Sequence, residues 1–474
     1  MSRTITIDPV TRIEGHAKVT IRLNDAGAVE AARFHVNEFR GFEKFCEGRL
    51  FHEMPQITQR ICGICPVSHH LVSVKACDQI LGLDPPRPAK LLRELAHMGQ
   101  VIQSHGMHFF MLGGPDLILG FDSDPALRNV VGVVAANPAL AGKAIALRKF
   151  GQEIIAHVGD RRIHPTLAVP GGVCKALSSA DRDTLRAQIP EMIATFQAGL
   201  DVMRAWATAH AQEMSTFAVF DTGYLGMVRP DDNCINLYDG RMRLIDAEGR
   251  EIVRFDGRKY LEHIAEHVEN WSYLKFPYYR PAGFPGGVYR VGPLGRLNVA
   301  EHMGTPIAQK AFEEFRSLND GRPVNGSLYY HWARLVEGLY AVERAAQLLD
   351  DPEIISTDIR LTGKVKNHEG VGVLEAPRGT LWHHYWVDEN GVIEKLNLIV
   401  ATGNNNYAMS RGVEEVAKQY VHGPDVSEGA LNRIEAAIRA YDPCLSCSTH
   451  ALGQMPMQVQ IQDPSGRVLS TTTR

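Results

Sequence analysis

The chain begins with alternating apolar and polar residues. From about residue 55 the apolar residues recur at helical spacing instead. His16 to Leu23 alternates, a turn follows at Asp25–Gly27, and Val29 to Val36 alternates again. A period of two predicts strands whose side chains face opposite sides of a sheet. We therefore predict an N-terminal β region over about 3–36.

The next part of the chain has the spacing of amphipathic helices and predicts a helical core over about 55–212. Pro88 suits the first turn of a long helix, and further helices are predicted over 139–157 and 180–212. The last of these follows Ser178, which starts a capping signature, and Pro190 predicts a kink in it. The apolar positions after Pro88 are Leu91, Leu92, Leu95, Met98, Ile102 and Met107.

The second half returns to mixed patterns. A hairpin is predicted over 239–256, and the Pro- and Gly-rich stretch 270–325 predicts a long ordered excursion. The helical core resumes over 326–350, strands are predicted over 365–400, and a last helix over 428–440. No internal repeat or low-complexity linker is evident. The predicted fold class is mainly α with small β sheets (α+β), in one large body with a central helix bundle.

Charge and composition exclude several classes of protein. The 474 residues carry 50 basic and 54 acidic side chains, and a net charge of −4 argues against a nucleic-acid binder. No Walker-type phosphate loop occurs. The chain has no apolar run of about 18 residues that would span a membrane. Its first residues lack a secretory pattern, so we expect a cytoplasmic protein.

Two Cys-x-x-Cys pairs stand near opposite ends of the chain, at Cys62–Cys65 and Cys444–Cys447. A single pair is typical of a thioredoxin-like dithiol or half a zinc site. Local zinc sites space their pairs by roughly 15–20 residues. Here about 380 residues intervene, and closing such a loop costs more entropy. If the pairs converge, the metal lies at the heart of the fold, which suits a catalytic centre.

Thiolates select soft metals, and chemistry alone leaves zinc, copper(I), iron–sulfur and nickel open. His69 follows Cys65 by four residues, so on a helix its ring would lie over the same face. It is a candidate donor of a hydrogen bond to that sulfur; a histidine without a functional role is the alternative. The unpaired cysteines, interpreted as small core residues, are Cys46, Cys77, Cys174 and Cys234.

Five blocks of sequence resemble the signatures of nickel–iron hydrogenase large subunits. Arg60–His69 is similar to the N-terminal signature, and Asp442–His450 to the C-terminal one. The others are Asp8–His16, Arg40–Glu43 and Glu375–Gly379, and all five follow the family's order. The resemblance implies a catalytic body over 1–450 with the fold of those subunits.

The resemblance also implies a nickel–iron centre with carbon monoxide and cyanide on the iron. Cys62 and Cys444 would be terminal ligands of nickel. Cys65 and Cys447 would bridge nickel and iron. A non-catalytic scaffold subunit, like the large subunit related to this family in respiratory complex I, is an alternative, but such proteins have lost these cysteines.

Glu43 and His450 match the positions that hold a magnesium or similar ion in the family. Carboxylate oxygen suits such a hard cation. The third protein ligand would be a backbone carbonyl, expected within 397–401. The residues expected around the open side of the metals are Arg378, Asp116 and Asp442.

Heterolytic cleavage of dihydrogen needs a Lewis acid and a base that takes the proton. The resemblance suggests the terminal thiolate of Cys444 as that base and Glu14 as the next proton carrier. A salt bridge to Arg12 or to another cation is the structural alternative for Glu14. Arg378 is a competing candidate base, but a guanidinium is a poor acceptor. We therefore interpret Arg378 as an electrostatic and hydrogen-bonding partner of cyanide.

Residues 451–474 extend beyond the last signature. The resemblance implies a maturation extension, removed by a dedicated protease between His450 and Ala451 after nickel chaperones have delivered the metal. An ordinary C-terminal strand is the alternative, because Gln458–Gln462 alternates. Hydrogen-sensing relatives generally lack such a tail, so it favours an enzyme.

Electrons need a partner, because no cysteines remain here for an iron–sulfur relay. Arg40–Arg49 and Ser448–His450 look most like the soluble NAD-linked bidirectional group. That likeness implies a small subunit with iron–sulfur clusters and a diaphorase module with flavin. NAD would bind elsewhere, since Gly-x-Gly-x-x-Gly is missing. A soluble hydrogenase with another acceptor and a structural zinc protein are the remaining alternatives.

Overall fold

The computed structural model describes residues 3–450, 458–462 and 468–473. Its strands are β1 Arg3–Ile7, β2 Ala17–Leu23, β3 Val29–Val36, β4 Ala168–Val169, β5 Gly172–Val173, β6 Gly223–Val228, β7 Arg241–Ile245, β8 Glu251–Phe255, β9 Ile264–His267, β10 Phe276–Tyr279, β11 Tyr289–Arg290, β12 Glu369–Ala376, β13 Gly379–Val387, β14 Ile393–Ile399, β15 Gln458–Gln462 and β16 Val468–Thr473. Its helices are α1 Phe42–Cys46, α2 Met54–Thr58, α3 Pro66–Leu81, α4 Arg87–Met107, α5 Gly114–Leu119, α6 Val130–Ala136, α7 Pro138–Gly159, α8 Ser179–Ala209, α9 Ala211–Thr216, α10 Gly292–Val299, α11 Pro306–Ser317, α12 Tyr329–Asp350, α13 Asn406–Tyr420, α14 Glu428–Arg439 and α15 Leu445–Ser448.

Long helices form the centre of the molecule. Helix α4 packs against α7 and α12, and α12 packs against α8. The N-terminal turn of α8 is capped by the Ser178 hydroxyl, which accepts a hydrogen bond from the Asp181 N–H at 3.0 Å. Pro190 lies within α8, which is one continuous helix. The mainly α class with small sheets is confirmed.

Two antiparallel sheets lie in the predicted N-terminal and late β regions. Strands β1, β2 and β3 pair in that order over the N-terminal region. Strands β12, β13 and β14 form the late sheet, and β12 lies directly on α3. Gly372 permits this close approach, because a Cβ there would lie 1.9 Å from the carbonyl oxygen of Val72.

Two parts of the chain are more helical than the sequence indicated. The excursion 270–325 contains α10 and α11, whose Pro293 and Pro306 lie in the first turn, where proline is well tolerated. These prolines begin helices, whereas the sequence pattern predicted only breaks. Helix α13 was missed as well, although its buried residues repeat at helical spacing.

The described C-terminal residues form a hairpin of β15 and β16, which pair with each other. The alternation of Gln458–Gln462 thus does mark a strand. The predicted cleavage point involves Ala451, which lies outside the described residues. No helix within the described ranges has the length and apolar character needed to cross a bilayer.

Candidate metal centre

The two Cys-x-x-Cys pairs converge in the core. The Sγ atoms of Cys62 and Cys444 are 3.2 Å apart, and those of Cys65 and Cys447 are 3.4 Å apart. Cys444 and Cys447 are separated by 3.0 Å between sulfurs. All four sulfurs lie within 4.8 Å of one another, and none of the four residues is more than 5 % exposed. Four buried sulfurs at these distances can share a small group of soft metal ions.

Each pair spans the junction between a loop and a helix. Cys62 is in extended backbone, and Cys65 is the residue immediately before α3. Cys444 immediately precedes α15, which contains Cys447. In the first pair the second cysteine precedes a helix, whereas in the second pair the first cysteine does. Each pair thus lies at the N-terminal end of a helix.

The N-terminal segment holds the C-terminal pair in place. The Leu445 N–H donates to the Glu14 carbonyl oxygen at 3.1 Å, which joins the two segments by a short parallel bridge. Gly15 has φ +84°, and a Cβ there would lie 2.7 Å from Leu445 Cβ. A side chain at this position would therefore be strained and would push the two segments apart.

Burial and charge act in opposite directions on the thiols. Burial raises the pKa of Cys444 and of Cys447 well above the usual value. Hydrogen bonds within the group, first from Cys444, lower the pKa of Cys62, and the charge of Arg378 adds to that effect. A bound cation would favour the thiolate form of the whole group.

Arg378 lies in the turn between β12 and β13 and faces the cysteines. Its Nε donates to the backbone oxygen of Asp442 at 2.6 Å, and its Nη2 donates to Asp442 Oδ1 at 2.9 Å. Burial alone would lower the pKa of Arg378, but Asp442 and the neighbouring thiolates raise it well above the usual value. A permanent cation is therefore fixed beside the four cysteines.

Asp116 belongs to a different buried ion-pair network. Its carboxylate binds Arg12 at 2.5 Å and Arg439 at 2.7 Å. Although burial favours the neutral acid, these cations, Arg439 first, lower the pKa of Asp116. The structure records no contact from Asp116 to Arg378 or to the cysteines in the ranges it describes. That Asp116 borders the metals stays a prediction.

The carboxylate of Glu14 lies beside the C-terminal cysteine loop. Its Oε2 accepts a hydrogen bond from the Ser446 N–H at 3.1 Å. The structural alternative, a salt bridge to Arg12, is not formed, because Arg12 binds Asp116 and the Leu112 carbonyl. Glu14 is thus held next to Cys444 and Cys447 by backbone contacts.

A second polar site lies around Glu43 and His450. His450 Nδ1 is 2.9 Å from Glu43 Oε1, and the same oxygen accepts from the Leu398 N–H at 2.8 Å. Burial raises the pKa of Glu43, but His450, Lys275 and the Leu398 N–H together outweigh it, and the net shift is downward. Leu398, near the end of β14, lies within 397–401, the range predicted to supply a carbonyl ligand.

His69 is buried on α3 as predicted. Its Nδ1 is 3.1 Å from Nε2 of His383, and burial lowers the pKa of His69 to about 4. The hydrogen bonds of the described residues include none between its ring and a cysteine sulfur. The proposed bond to Cys65 stays a prediction.

Three residues near the cysteine group and the Glu43 site were not predicted from the sequence. Lys275 and Glu266 pair at 3.1 Å and act electrostatically on Glu43. His164 Nε2 lies 3.3 Å from the carbonyl oxygen of Cys62. These residues lie outside the recognised motifs. Only packing between distant parts of the chain brings them close to Cys62 and Glu43.

Sequence profiles agree with this geometry. A family described as "Nickel-dependent hydrogenase" matches residues 40–123 and 232–450, and one described as "HoxL-like" matches 4–39. The first match alone covers more than half of the chain.

The chain belongs to the nickel-dependent hydrogenase family.

Individual relatives of this hydrogenase chain match over most of its length. The "NAD-reducing hydrogenase HoxS subunit beta" of Cupriavidus necator is 45 % identical over 100 % of both chains. A chain of the vhu "F420-non-reducing hydrogenase" of Methanococcus voltae is 46 % identical over 87 % of this chain and 98 % of the relative. A crystal structure of an NAD⁺-reducing [NiFe]-hydrogenase matches with a TM-score of 0.92 and 45 % identity, covering 94 % of this chain and 99 % of the other.

Proposed function

We propose that the four cysteines hold a nickel–iron centre and that the chain catalyses the reversible heterolytic cleavage of H2. The observation that carries this proposal is the convergence of four sulfurs within 4.8 Å beside a fixed arginine. Four soft donors fit nickel and iron. Cys62 and Cys444 would bind nickel terminally, and Cys65 and Cys447 would bridge it to iron.

The surrounding residues have separate roles. When bound, the metals supply the Lewis acidity that polarises dihydrogen. Arg378 would supply positive charge and a guanidinium N–H toward cyanide on the iron, and Asp442 keeps that side chain in place. Cys444 Sγ takes the proton. The Glu14 carboxylate receives it next, because its Oε2 is already bound to Ser446 beside that loop.

Infrared spectroscopy of the purified complex tests this function. Bands from metal-bound carbon monoxide and cyanide, together with nickel and iron in the protein, are the expected result. Zinc in their place would support the structural alternative, which needs neither Glu14 nor Arg378. A protein with none of these metals would favour the non-catalytic scaffold.

We also propose a magnesium ion at Glu43 and His450, with a carbonyl from 397–401. Support comes from the contact between the Glu43 carboxylate and the Leu398 N–H, which brings the acid to that strand. Carboxylate and carbonyl oxygens are the ligands that Mg²⁺ prefers. Such an ion would tie the end of the chain to α1.

Electrons leave through a partner subunit with iron–sulfur clusters. The loop between Cys62 and Cys65 reaches the surface at Gly63. A Cβ added to Gly63 would contact no other atom. A cluster docked on this face would be close to the nickel ligands. The name of the Cupriavidus relative supports NAD as the final acceptor, through a diaphorase module with flavin in a cytoplasmic complex.

Removal of the tail gives a separate prediction. Active enzyme should end at His450, because a protease would cut the His450–Ala451 bond after nickel chaperones have loaded the site. The His450 carbonyl already accepts from the Glu43 N–H at 3.0 Å, so the new terminus would stay anchored. Intact-mass spectrometry of active enzyme checks this, and a mass for all 474 residues would refute it.

A further inference from the structure

A buried arginine on α10, Arg296, binds the turn that carries Arg378. Strands β12 and β13 pair up to Ala376 and Gly379, so Pro377 and Arg378 form a two-residue turn between them. Arg296 Nη1 donates to the Ala376 carbonyl oxygen at 2.9 Å, and its Nη2 donates to the Pro377 carbonyl oxygen at 3.1 Å. Both hydrogen bonds thus reach the backbone immediately before Arg378.

Two carboxylates hold the Arg296 guanidinium in place. Its Nη1 donates to Glu375 Oε2 at 2.8 Å, and its Nη2 donates to Glu337 Oε2 at 2.8 Å. Its Nε lies 2.7 Å from Glu337 Oε1. The three side chains are 0 % exposed, so water does not compete for these contacts. The four N–H groups of Nη1 and Nη2 therefore all have partners, and two of those partners belong to the turn.

The position of Arg296 on α10 explains why it reaches the turn. Gly292 lies one helical turn earlier and on the same face. Its φ is +83°, and a Cβ there would lie 2.9 Å from the carbonyl oxygen of Arg378. A side chain at this position would therefore be strained and would press on the turn. One face of α10 contacts the turn twice, through a glycine that permits the close approach and an arginine that binds the carbonyls.

The side chain of Arg378 and the backbone that carries it have separate anchors. The guanidinium binds the Asp442 backbone oxygen and Oδ1, and its Nη1 donates to Ser104 Oγ at 3.4 Å. These contacts act at the end of a long side chain with several rotatable bonds. The point from which that side chain starts depends on the turn, which Arg296 binds from another element. Movement of the turn would therefore shift the Arg378 cation relative to the four cysteines.

We propose that Arg296 is a positioning residue for Arg378, whose turn it fixes by binding the carbonyl oxygens of Ala376 and Pro377. The inference rests on the nickel–iron centre proposed above. In the ranges that the structure describes, no contact joins Arg296 to a cysteine, so it acts through the turn. A charged donor stabilises a reacting centre best when its place is fixed before the reaction starts.

Arg296→Lys in the complete purified complex tests this role. Lysine keeps a positive charge between Glu337 and Glu375, but its single ammonium lacks the planar fork that binds both carboxylates and both carbonyls. Nickel and iron should stay at wild-type occupancy, because no proposed ligand changes. The cyanide bands should shift, and H2 turnover should fall about 10- to 100-fold, since small displacements of a positioned group have effects of this size. The loss should appear in kcat and not in KM, because uncharged H2 gains no ionic contact with Arg378.

Arg93→Lys is the matched control. Arg93 is another buried arginine, which binds the Asp78 carboxylate at 2.6 Å and the carbonyl oxygens of Val169 and Gly172, each at 2.9 Å. The control makes the same substitution in a comparable set of contacts that does not include the Arg378 turn. Its infrared bands and its kcat should match those of the wild type.

The outcomes separate this inference from the proposed function. Absence of the carbon monoxide and cyanide bands in the wild-type enzyme would overturn the nickel–iron proposal. Wild-type bands that stay unshifted in Arg296→Lys, or that shift equally in Arg93→Lys, would overturn the positioning role alone.

A double variant keeps the proposal testable if Arg296→Lys does not assemble. Arg296→Gln combined with Glu337→Gln removes both charges of a buried ion pair, which costs less than leaving one charge without its partner. Burial raises the pKa of the remaining Glu375, which favours its neutral form. Shifted cyanide bands are the expected result, and unshifted bands in this variant would reject the positioning role.

Discussion

Cys65→Ser is expected to lose nickel, iron or both, and with them all H2 cleavage. Serine is close to cysteine in size, so the loop before α3 has little steric reason to change. Its hydroxyl is a hard donor that keeps its proton, whereas the metals need a soft thiolate. The sulfur of Cys65 lies 3.4 Å from that of Cys447, the other proposed bridge. Removing one bridge therefore disrupts both metals.

Metal analysis of the purified complex, combined with H2-dependent activity, measures the loss. Cys234→Ser is the matched control, since it makes the same change at a buried cysteine outside the four-sulfur group. That variant should keep both metals. Full occupancy of nickel and iron in Cys65→Ser would contradict the assignment of Cys65 as a bridging ligand.

The cysteine centre could be predicted because each of its two motifs is recognisable from residues that are adjacent in the sequence. Each Cys-x-x-Cys motif lies at a loop-to-helix junction, and the neighbouring residues give each motif a recognisable signature. The separation of 382 residues between Cys62 and Cys444 indicated a metal site at the heart of the fold, and the resemblance of the two signatures then favoured nickel and iron over the other soft metals. Glu43 and His450 were predicted in the same way, because they lie within the signature sequences.

The supporting contacts were not predictable, because they depend on packing between distant elements. His69 and His383 are 314 residues apart, and nothing in the sequence around either residue indicates its contact with the other. Asp116 was placed near the metals through the resemblance to the family, and only the folded chain shows that Arg12 and Arg439 bind it. Helices α10 and α11 were missed because a proline is equally typical of a first helical turn and of a break.

Contacts between the chain's two ends connect assembly with catalysis. Leu445 binds the Glu14 backbone, and the Glu43 N–H binds the His450 carbonyl. These contacts can form only when the C-terminal segment has docked on the N-terminal one. Docking also brings Cys444 and Cys447 to the first cysteine pair. A step that delays docking until metal arrives would therefore delay closure of the site and placement of Glu14 together.

Glu14→Gln is expected to block proton transfer while the metals stay assembled. A glutamine amide keeps the size of the side chain and can still accept from the Ser446 N–H, so the cysteine loop should not move. It cannot take up and release a proton at neutral pH. Loss of a positioned proton carrier lowers rates by about 10²–10⁴-fold. Exchange between H2 and D2O, followed by mass spectrometry, should fall by that factor.

Two further measurements make the test of Glu14 specific. Infrared bands and metal content should match the wild type, which separates a proton-transfer defect from failed assembly. Glu38→Gln is the matched control, because it neutralises a carboxylate that instead pairs with His16 at 2.5 Å on the surface. Exchange at the wild-type rate in Glu14→Gln would exclude Glu14 as the carrier. The proton would then have to leave Cys444 by another route, since the contacts that hold Glu14 at this loop survive in the variant.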